Sequence, residues 1–572
     1  MNEKKTNKQL VSYITLAVSL LVIVLLEYKF FANVMFNGVL IGDEGDARLN
    51  NLLVEHWFRA FGGKEKFSIV NIFYPITNTL AYTDMLLALA IPYSILRMFG
   101  MNMFLANKIV LIGFHIFGSY SLFYLLKKKF KLNNLWSLLG VIVFSYSSAY
   151  YVRIGHTQLI TISLVPLLII FMFCFFENFQ NKVKRIVYGL LTITLYVLIM
   201  YTSWYTAFFT ALFMATFIVI YVCVASSNKN KVFSNVWMYI KKCYKEIIAY
   251  VVYAICIAIP FFKMYIQVSR MYGKRSYSEI ATMLPELIDF FNVGDNNLLI
   301  GRFIKALGLS SRTYLNQGEM SVGFSLLTMG LLVAAFFYVR KKYLKEKYKA
   351  LETEGSYTVQ SKMVLVSIIY AVLVSFILLV QSKEISFWYL VYRFVPGGSA
   401  IRAAVRYNYY LVMPVAIVIA NFGQMLQNRI KKEKVNLIFG IVMPLCAAAL
   451  VWVSNYNTQG VYAHWNMESE NKFIEAVSAP PDDCEVMYIV DSKYEDRKYA
   501  FHSYQLMAWE VSYKYNLKNM NGYSGQFPKE WELDNVWEKD IHTKAAEWIK
   551  LNKIDKNVYY YDVATNVWTK AN

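Results

Sequence analysis

The sequence predicts an α-helical membrane protein that crosses the bilayer about 11–12 times and carries a small C-terminal α/β domain outside it. The chain has 572 residues, of which 57% are hydrophobic, whereas soluble domains are normally about 45–50% apolar. Apolar stretches of membrane-spanning length follow one another through residues 1–454. Residues 455–572 are polar and rich in Trp and Tyr, and they contain no further stretch of that length.

The distribution of charge predicts the orientation in the cell membrane. The net charge of +20 comes from Lys and Arg in short runs between the apolar stretches, which is typical of cytoplasmic loops. This pattern argues against nucleic acid as a partner, because topology already accounts for the basic residues. Lys4, Lys5 and Lys8 precede the first stretch. The N-terminus is therefore expected in the cytoplasm, the first helix is retained, and residues 455–572 lie outside.

One apolar stretch leaves two topologies open. Residues 85–98 are about 14 residues long, which is short for a transmembrane helix. If this stretch crosses the membrane, the basic residues 127–131 fall on the outer side, against the positive-inside rule. If it is re-entrant or interfacial, all later stretches alternate as the rule requires.

The first outer loop, residues 32–84, contains the densest group of acids. Asp43, Glu44 and Asp46 lie within four consecutive positions. Asp46 is expected to cap a helix that ends before a pair of glycines. Apolar and charged residues of this helix fall on opposite faces, which is typical of a helix lying flat in the membrane interface. The three carboxylates would then lie at the edge of the bilayer, where a lipid-linked substrate presents its head group.

Four more ionisable side chains are expected on the outer side. Asp84 precedes an apolar stretch and is either functional or a helix cap. His156 lies in a short loop, where it binds substrate or is simply solvated. Arg402 and Arg406 are spaced i,i+4, so on a helix they share a face that suits a phosphate. The alternative for both arginines is snorkelling at the end of a transmembrane helix.

The C-terminal region shows the pattern of a small α/β domain. Helices are predicted over 468–479 and 543–551, and strands over 486–490 and 558–561. The loop 521–528 is rich in Gly and aromatic residues. Its side chains either stack on sugar rings or form a turn packed on the domain's own core. A long outer loop, residues 270–321, precedes the last transmembrane stretches, and the six cysteines show no metal-ligand spacing.

Five motifs spread over the chain carry a family resemblance: GDEGDARL, YPITNTLAYTD, GHTQLITISLVPL, PGGSAIRAAVRYN and NGYSGQFP. With them the chain resembles the GT-C superfamily of glycosyltransferases, which use polyprenyl-phosphate-linked sugars as donors. Within that superfamily it looks most like the bacterial YfhO-like integral membrane proteins. The resemblance implies that an acidic residue of the first outer loop deprotonates the acceptor hydroxyl while the sugar leaves the lipid phosphate with inversion.

This resemblance assigns roles to the outer polar residues. Asp43 is expected to be the general base, with Glu44 and Asp46 orienting the acceptor or sharing the role. Asp43 and Asp46 could also hold Mg or Mn, which prefer oxygen ligands; the alternative is an acidic loop that only caps its helix. Arg402 and Arg406 are expected to bind the donor phosphate. The further candidates for substrate binding are Asp84, His156, Asn521 and Tyr523.

The expected function is therefore that of a multi-pass membrane glycosyltransferase. It would transfer a sugar from a polyprenyl-phosphate carrier to a cell-envelope glycan or polymer on the outer face. The expected partners are membrane lipid, the lipid-linked sugar and the envelope acceptor. The alternatives are a transporter or flippase of lipid-linked saccharides, for which repeats and broken helices are typical, and a non-enzymatic envelope-assembly factor whose acidic loop binds a partner.

Overall fold

The computed structural model describes residues 2–224, 229–309, 318–346, 357–383, 385–493 and 500–571. It confirms the predicted fold class, a largely helical membrane protein with a small C-terminal sheet. The first ten α-helices are α1 (Asn2–Phe30), α2 (Asp46–Phe61), α3 (Leu87–Met98), α4 (Met103–Tyr124), α5 (Asn134–Ser145), α6 (Ser148–Arg153), α7 (Val165–Glu177), α8 (Lys182–Met200), α9 (Trp204–Val224) and α10 (Lys229–Tyr272).

Ten more helices follow in the second half of the chain. They are α11 (Tyr277–Ala281), α12 (Gly301–Ala306), α13 (Leu326–Glu346), α14 (Tyr357–Leu379), α15 (Trp388–Phe394), α16 (Arg406–Gln427), α17 (Glu433–Asn455), α18 (Met467–Ala476), α19 (Phe501–Tyr515) and α20 (Ile541–Leu551). The strands are β1 (Val39–Leu40), β2 (Gln381–Ser382), β3 (Ile385–Ser386), β4 (Trp465–Asn466), β5 (Val486–Val490), β6 (Lys518–Asn519), β7 (Val558–Asp562) and β8 (Val567–Lys570).

Among the described residues, nine helical stretches are long and apolar enough to cross a membrane, and two shorter apolar helices accompany them. One of the short ones is α3, the stretch whose crossing the sequence leaves open. Its 12 residues extend over about 18 Å, well short of a hydrocarbon core of about 30 Å. Its length therefore favours the re-entrant or interfacial alternative.

The centre of the membrane part is built around α5 and α16. In the most apolar window of the stretch Asn134–Arg153, 94% of the residues are buried inside the protein, against 11% for α1, so α5 is central and α1 peripheral. Glycines allow the central helices to approach closely. A Cβ on Gly423 of α16 would lie 2.2 Å from the ring of Trp136 on α5. A helix that is apolar all round belongs in such a core.

The C-terminal region forms a four-stranded sheet in the order β6-β5-β7-β8, with β5 parallel to β6 and β7 and with β7 antiparallel to β8. Strands β5 and β7 and helices α18 and α20 lie where the sequence predicts them, within three residues at each end. Helix α19 escapes prediction because it is buried on most sides and so lacks an amphipathic period.

The C-terminal region holds the first outer loop in place through the backbone. Strand β1 pairs with β4, and the amide of Gly42 donates to the carbonyl of Tyr462 at 2.8 Å. Further along the loop, the amides of Phe73 and Tyr74 donate to the carbonyls of Asn521 and Asn519, both at 2.9 Å. The acidic motif therefore sits between the membrane helices and the C-terminal sheet.

Candidate functional site

The acidic motif begins helix α2, but its cap is not the residue the sequence predicts. The helix starts at Asp46 with Gly45 at the N-cap position, and no side-chain cap comes from Gly45. Instead Oδ1 of Asp43 accepts from the amides of Gly45 at 3.1 Å and Ala47 at 3.3 Å. The prediction of Asp46 as the N-cap is therefore wrong. Asp43 thus satisfies one free amide of the first turn, that of Ala47, and the carboxylate of Asp46 does not cap the helix.

The periodicity of α2 predicts that its polar face is in contact with water. In the structure that face is buried. Arg48 is buried against two acids of the C-terminal region: its Nε donates to Glu510 at 2.8 Å, and its Nη2 is 2.5 Å from Glu470. About two turns further, Glu55 is buried and accepts from Arg97 and Tyr93. The polar face is covered because buried partners neutralise its charges. We call Arg48, Glu470 and Glu510 the Arg48 cluster.

Asp46 faces a second group of charges, which comes from the membrane part. Its Oδ2 is 3.2 Å from Nδ1 of His156. On the other side of the ring, Nη1 of Arg153 lies 3.0 Å from Nε2 of His156. Arginine can only donate, so Nε2 accepts and the proton of a neutral ring is on Nδ1. Nδ1 is close to Asp46, but the geometry does not make this contact a hydrogen bond. We call Asp46, Arg153, His156, Glu319 and Arg406 the Asp46 cluster.

Glu319 and Arg406 complete this cluster from the long outer loop and the start of α16. Arg406 donates from Nη2 to Oε1 of Glu319 at 2.6 Å and from Nε to Oε2 at 3.1 Å. The same Oε1 is 3.7 Å from Nη1 of Arg153 and 3.6 Å from Nε2 of His156. One carboxylate thus contacts two arginines and a histidine. Arg406 also stacks over the ring of Tyr205 at 5.4 Å.

The charges of the cluster keep both of its acids ionised. Burial would raise the pKa of Glu319, but Arg153 and Arg406 outweigh it and hold that pKa well below the usual range. Desolvation likewise opposes ionisation of Asp46, and the contact with His156 outweighs it, so the pKa of Asp46 is lowered. The side chain of Asp46 is 44% exposed, whereas Glu319 is 13% exposed. Asp46 is therefore an ionised carboxylate that solvent reaches.

Aromatic residues of the C-terminal region approach the same acids. The hydroxyl of Tyr523 donates to Oδ1 of Asp46 at 3.5 Å, and the hydroxyl of Tyr462 donates to Oδ2 of Asp43 at 3.4 Å. Burial and the neighbouring acids raise the pKa of Tyr523, so the phenol stays protonated. A cavity of about 230 Å³ lies beside Tyr462 and is lined by Val152 and Ser321 among others.

The structure separates Arg402 from Arg406. Helix α16 begins at Arg406, so Arg402 precedes it in irregular backbone and is exposed. The expectation that the two share one helical face is wrong, because the amides of Arg402 and Ala403 donate to the hydroxyl of Tyr205 instead of continuing a helix. The charge of Arg402 still acts on Tyr523. Arg402 therefore lies at the margin of the cluster.

Asn521 and Asp84 have structural partners. Asn521 is fully buried, its Oδ1 accepts from the amide of Ile489 and its Nδ2 donates to Gln505. Both ends of its side chain are thus used inside the C-terminal region, and substrate binding by Asn521 stays a prediction. Asp84 accepts from the amide of Trp204 at 2.9 Å and so caps α9. Burial raises the pKa of Asp84 to about 6, against the opposing effects of that amide and of Arg406.

The three acids of the motif point to different neighbours. Asp46 faces His156 and Asp43 caps α2, while the charge of Glu44 acts on Arg48, Glu470 and Glu510. Within the described ranges, no three side chains of His, Cys, Asp or Glu come together as metal ligands. Mg or Mn binding at Asp43 and Asp46 stays a prediction.

Two members of the cluster were not assigned roles from the sequence, Glu319 and Arg153. A signal for them exists in the charge pattern. Arg153 and Arg406 end and begin membrane-length helices on the predicted outer side, against the positive-inside rule. Charges at such positions need partners, so an acid in an outer loop was to be expected. Glu319, preceded by Gly318 in the long outer loop, is that acid.

The cluster can bind an anion and hold a base beside it. Two guanidinium groups meet at one carboxylate, and such planar forks bind phosphate as well as carboxylate. Asp46 keeps one oxygen turned to the exposed side with only the long contact from Tyr523. A carboxylate that solvent reaches, next to an anion site, is the arrangement that general-base catalysis of transfer from a phosphate needs.

Comparison with solved structures shows the fold. The chain is similar to the oligosaccharyltransferase AglB of Archaeoglobus fulgidus in complex with an inhibitory peptide and a dolichol-phosphate, with a TM-score of 0.50 and 10% identity over 97% of this chain and 69% of that one. A crystal structure of the oligosaccharyltransferase of the same organism with Zn and sulfate gives a TM-score of 0.49, with 11% identity over 95% and 67%.

The chain thus spans about two thirds of the length of these structures. The likeness to AglB, at 10% sequence identity, shows that this chain has an oligosaccharyltransferase-like fold. No protein-family model matches the sequence, and no curated protein matches it.

Proposed function

We propose that the protein is a membrane glycosyltransferase that transfers a sugar from a polyprenyl-phosphate carrier to an envelope glycan at the outer face. The observation that carries this proposal is the Asp46 cluster, where an exposed ionised carboxylate lies beside paired arginines. In the proposed reaction Asp46 takes the proton of the acceptor hydroxyl. The hydroxyl oxygen bonds to the anomeric carbon as the bond to the phosphate oxygen breaks, and the lipid phosphate leaves with inversion.

Asp46 is a better candidate for the base than Asp43. Asp43 accepts two backbone amides through one oxygen and the hydroxyl of Tyr462 through the other. Both oxygens of Asp43 are therefore already engaged by donors within the protein. Asp46 is oriented by His156 through one oxygen, and its other oxygen is within reach of an incoming hydroxyl. Asp43 then positions the turn that presents Asp46.

Arg406 and Arg153 are proposed to bind the donor phosphate and to stabilise the charge that develops as the phosphate leaves. Arg406 is fixed at the first turn of α16 and stacks over Tyr205. Arg402, exposed at the margin, would add charge without direct contact. Tyr523, which stays protonated, would donate a hydrogen bond to Asp46 or to the substrate.

An apolar groove supports a lipid-linked donor. A cavity of about 200 Å³ lies between α7, α9, α14 and α16, and its polar surface is negligible. On α16 its lining residues are Tyr410, Met413, Pro414 and Ile417, which continue the helical face that begins at Arg406. A polyprenyl chain in this groove would place its phosphate at the level of Arg406.

The fold likeness is consistent with this reading, since the AglB structure was determined with a dolichol-phosphate. We also propose that the chain is closest in kind to the bacterial YfhO-like proteins, on the motifs given above. The N-terminus would lie in the cytoplasm and the C-terminal region, residues 455–572, outside the membrane. The donor would then meet its acceptor outside the cell.

The test is sugar transfer in isolated membranes from cells that produce the protein. A panel of radiolabelled undecaprenyl-phosphate sugars is supplied, and label in envelope polymer is counted for wild type, Asp46→Asn and Asp43→Asn at equal protein levels. We expect wild type to transfer label, Asp46→Asn to lose about 10²–10⁴-fold in rate, and Asp43→Asn to lose less.

Equal rates in wild type and Asp46→Asn would refute the assignment of the base. Absence of transfer from every donor would refute the enzyme. In that case, movement of the intact lipid-linked sugar across proteoliposome membranes would identify a flippase instead.

A further inference from the structure

The carboxylate of Glu319 lies where an anionic substrate would be bound. Arg406 donates a hydrogen bond to each of its oxygens. Nη1 of Arg153 and Nε2 of His156 lie 3.7 and 3.6 Å from Oε1. Of these groups, Arg153 and Arg406 are the ones that the proposed function assigns to the donor phosphate. We call the space between Arg153, His156 and Arg406 the anion seat.

The anion seat is not saturated by Glu319. Among the described residues, Nε and Nη2 of Arg153 have no hydrogen-bond partner, although the atoms are buried and the residue is only 7% exposed. A buried donor without a partner carries a free-energy cost that a ligand removes. A phosphate offers more acceptor oxygens than a carboxylate, so it could satisfy donors that Glu319 leaves unpaired.

The charge of the site argues against simultaneous binding of both anions. Two arginines face two ionised acids, Asp46 and Glu319, so the cluster is balanced while Glu319 occupies the seat. A sugar phosphodiester also carries one negative charge, so replacing Glu319 by the donor phosphate keeps the balance. Adding the phosphate while Glu319 remains would bring three anions together in a poorly solvated site.

We propose that Glu319 occupies the anion seat between turnovers and competes with the phosphate of the lipid carrier for it. This inference rests on the proposed function and adds a form of regulation to it. The carboxylate would leave when the donor binds and return as the polyprenyl phosphate departs. Because neighbouring arginines hold its pKa low, Glu319 is ionised at neutral pH. It therefore competes there with the donor phosphate as an anion.

The backbone next to Glu319 fits this role. Gly318 has φ +77°, and a Cβ there would lie 3.2 Å from Nη2 of Arg153. The chain therefore approaches Arg153 closely at a glycine, which adopts this conformation without strain.

The test measures binding of farnesyl phosphate to the full-length protein in lipid nanodiscs. The variants are Glu319→Gln, Glu319→Asp, Arg406→Gln and the control Glu279→Gln, an acid of the same outer loop that pairs with Arg275 away from the seat. If Glu319 fills the seat about 90% of the time, its removal should tighten binding about tenfold. Glu319→Asp, with a shorter reach, should tighten binding less, and Glu279→Gln should leave it unchanged.

Two further probes separate the contributions to binding. Farnesol lacks the phosphate, so its affinity should not respond to Glu319→Gln, whereas inorganic phosphate should respond as farnesyl phosphate does. Melting curves of each variant in the same nanodiscs establish that the protein is folded. If Glu319→Gln fails to fold, the affinity of Glu319→Asp for farnesyl phosphate tests the competition instead. This variant keeps the negative charge that pairs with Arg406.

The outcomes distinguish this inference from the proposed function. Unchanged or weaker binding in both Glu319 variants, with binding lost in Arg406→Gln, would overturn the competition and leave the phosphate site standing. No binding of farnesyl phosphate by any folded variant would overturn both. Tighter binding of farnesol as well would mean that Glu319 affects the lipid groove, and this too would overturn the inference.

Discussion

One turn of helix α2 contributes to both the Arg48 cluster and the Asp46 cluster. The two clusters differ in the exposure of their side chains and in whether their hydrogen-bond donors have partners. The Arg48 cluster is closed: Arg48, Glu470 and Glu510 are at most 8% exposed in their side chains. The Asp46 cluster is open at Asp46, 44% exposed, and contains the unpaired donors of Arg153. The closed cluster places one arginine between two acids, whereas the open cluster combines two acids with two arginines and a histidine. Solvent access to a carboxylate and hydrogen-bond donors without partners therefore distinguish the candidate site from the closed cluster, whereas residue types do not.

The largest effect on stability is expected at the closed cluster. Arg48→Met leaves Glu470 and Glu510 buried together without a cation, which should lower the free energy of unfolding by about 3–5 kcal/mol. Melting of the protein in nanodiscs, followed by tryptophan fluorescence, measures this loss. The control is Arg402→Met, an exposed arginine at the margin of the open cluster, which should melt as wild type does. Equal melting of both variants would contradict the structural role of the Arg48 cluster.

The next effect concerns how the open cluster is positioned. Gly155 precedes His156, and a Cβ there would lie 2.7 Å from Cα of Gly42 in the backbone of the acidic loop. Gly155→Ala should therefore push Asp46 and His156 apart and slow transfer about tenfold or more, since misplacement by about 1 Å can cost 10²-fold.

The transfer rate of purified protein checks this prediction. Gly113→Ala serves as the control, because nothing lies within 4 Å of a Cβ at that glycine. A normal rate in Gly155→Ala would show that the Gly42–Gly155 contact does not position the site.

The smallest effect separates the clusters by pH. Burial and Glu510 raise the pKa of Glu470, and Arg48 only partly offsets them. The folded protein thus holds this proton more tightly than the unfolded chain does, so stability falls as pH rises above the ordinary range of a glutamate. Glu470→Gln should flatten the dependence of the melting temperature on pH. Exposed Glu468→Gln should keep it, and an unchanged slope in Glu470→Gln would contradict the shift.

Local sequence patterns predicted the bounds of helices and strands well, but they did not predict which residues pack around those elements. The bounds of α2 follow from its periodicity and the glycines after it, and β5 and β7 follow from runs of β-branched and aromatic residues. The burial of Arg48 does not follow, because its partner Glu510 lies 462 residues away. A helical period shows which residues share a face, but not what covers that face.

The same limit applied to the candidate site. Asp46, His156 and Tyr523 were predicted from residue type and from the resemblance, and the structure brings them together. Glu319 could not be paired with Arg406 from spacing, since 87 residues separate them. The pairing of Arg402 with Arg406 failed for a different reason. The i,i+4 rule presumes a helix, and the helix begins only at Arg406.

We attribute sugar transfer to the open cluster and the anchoring of the C-terminal region to the closed cluster. The most direct test is the single-turnover rate of sugar transfer per folded molecule, measured for purified Asp46→Asn and Arg48→Met in nanodiscs well below their melting temperatures. We expect Asp46→Asn to melt as wild type does but to lose transfer, and Arg48→Met to melt early but to transfer at a rate within about tenfold of wild type. Wild-type transfer by Asp46→Asn would refute the role of the open cluster.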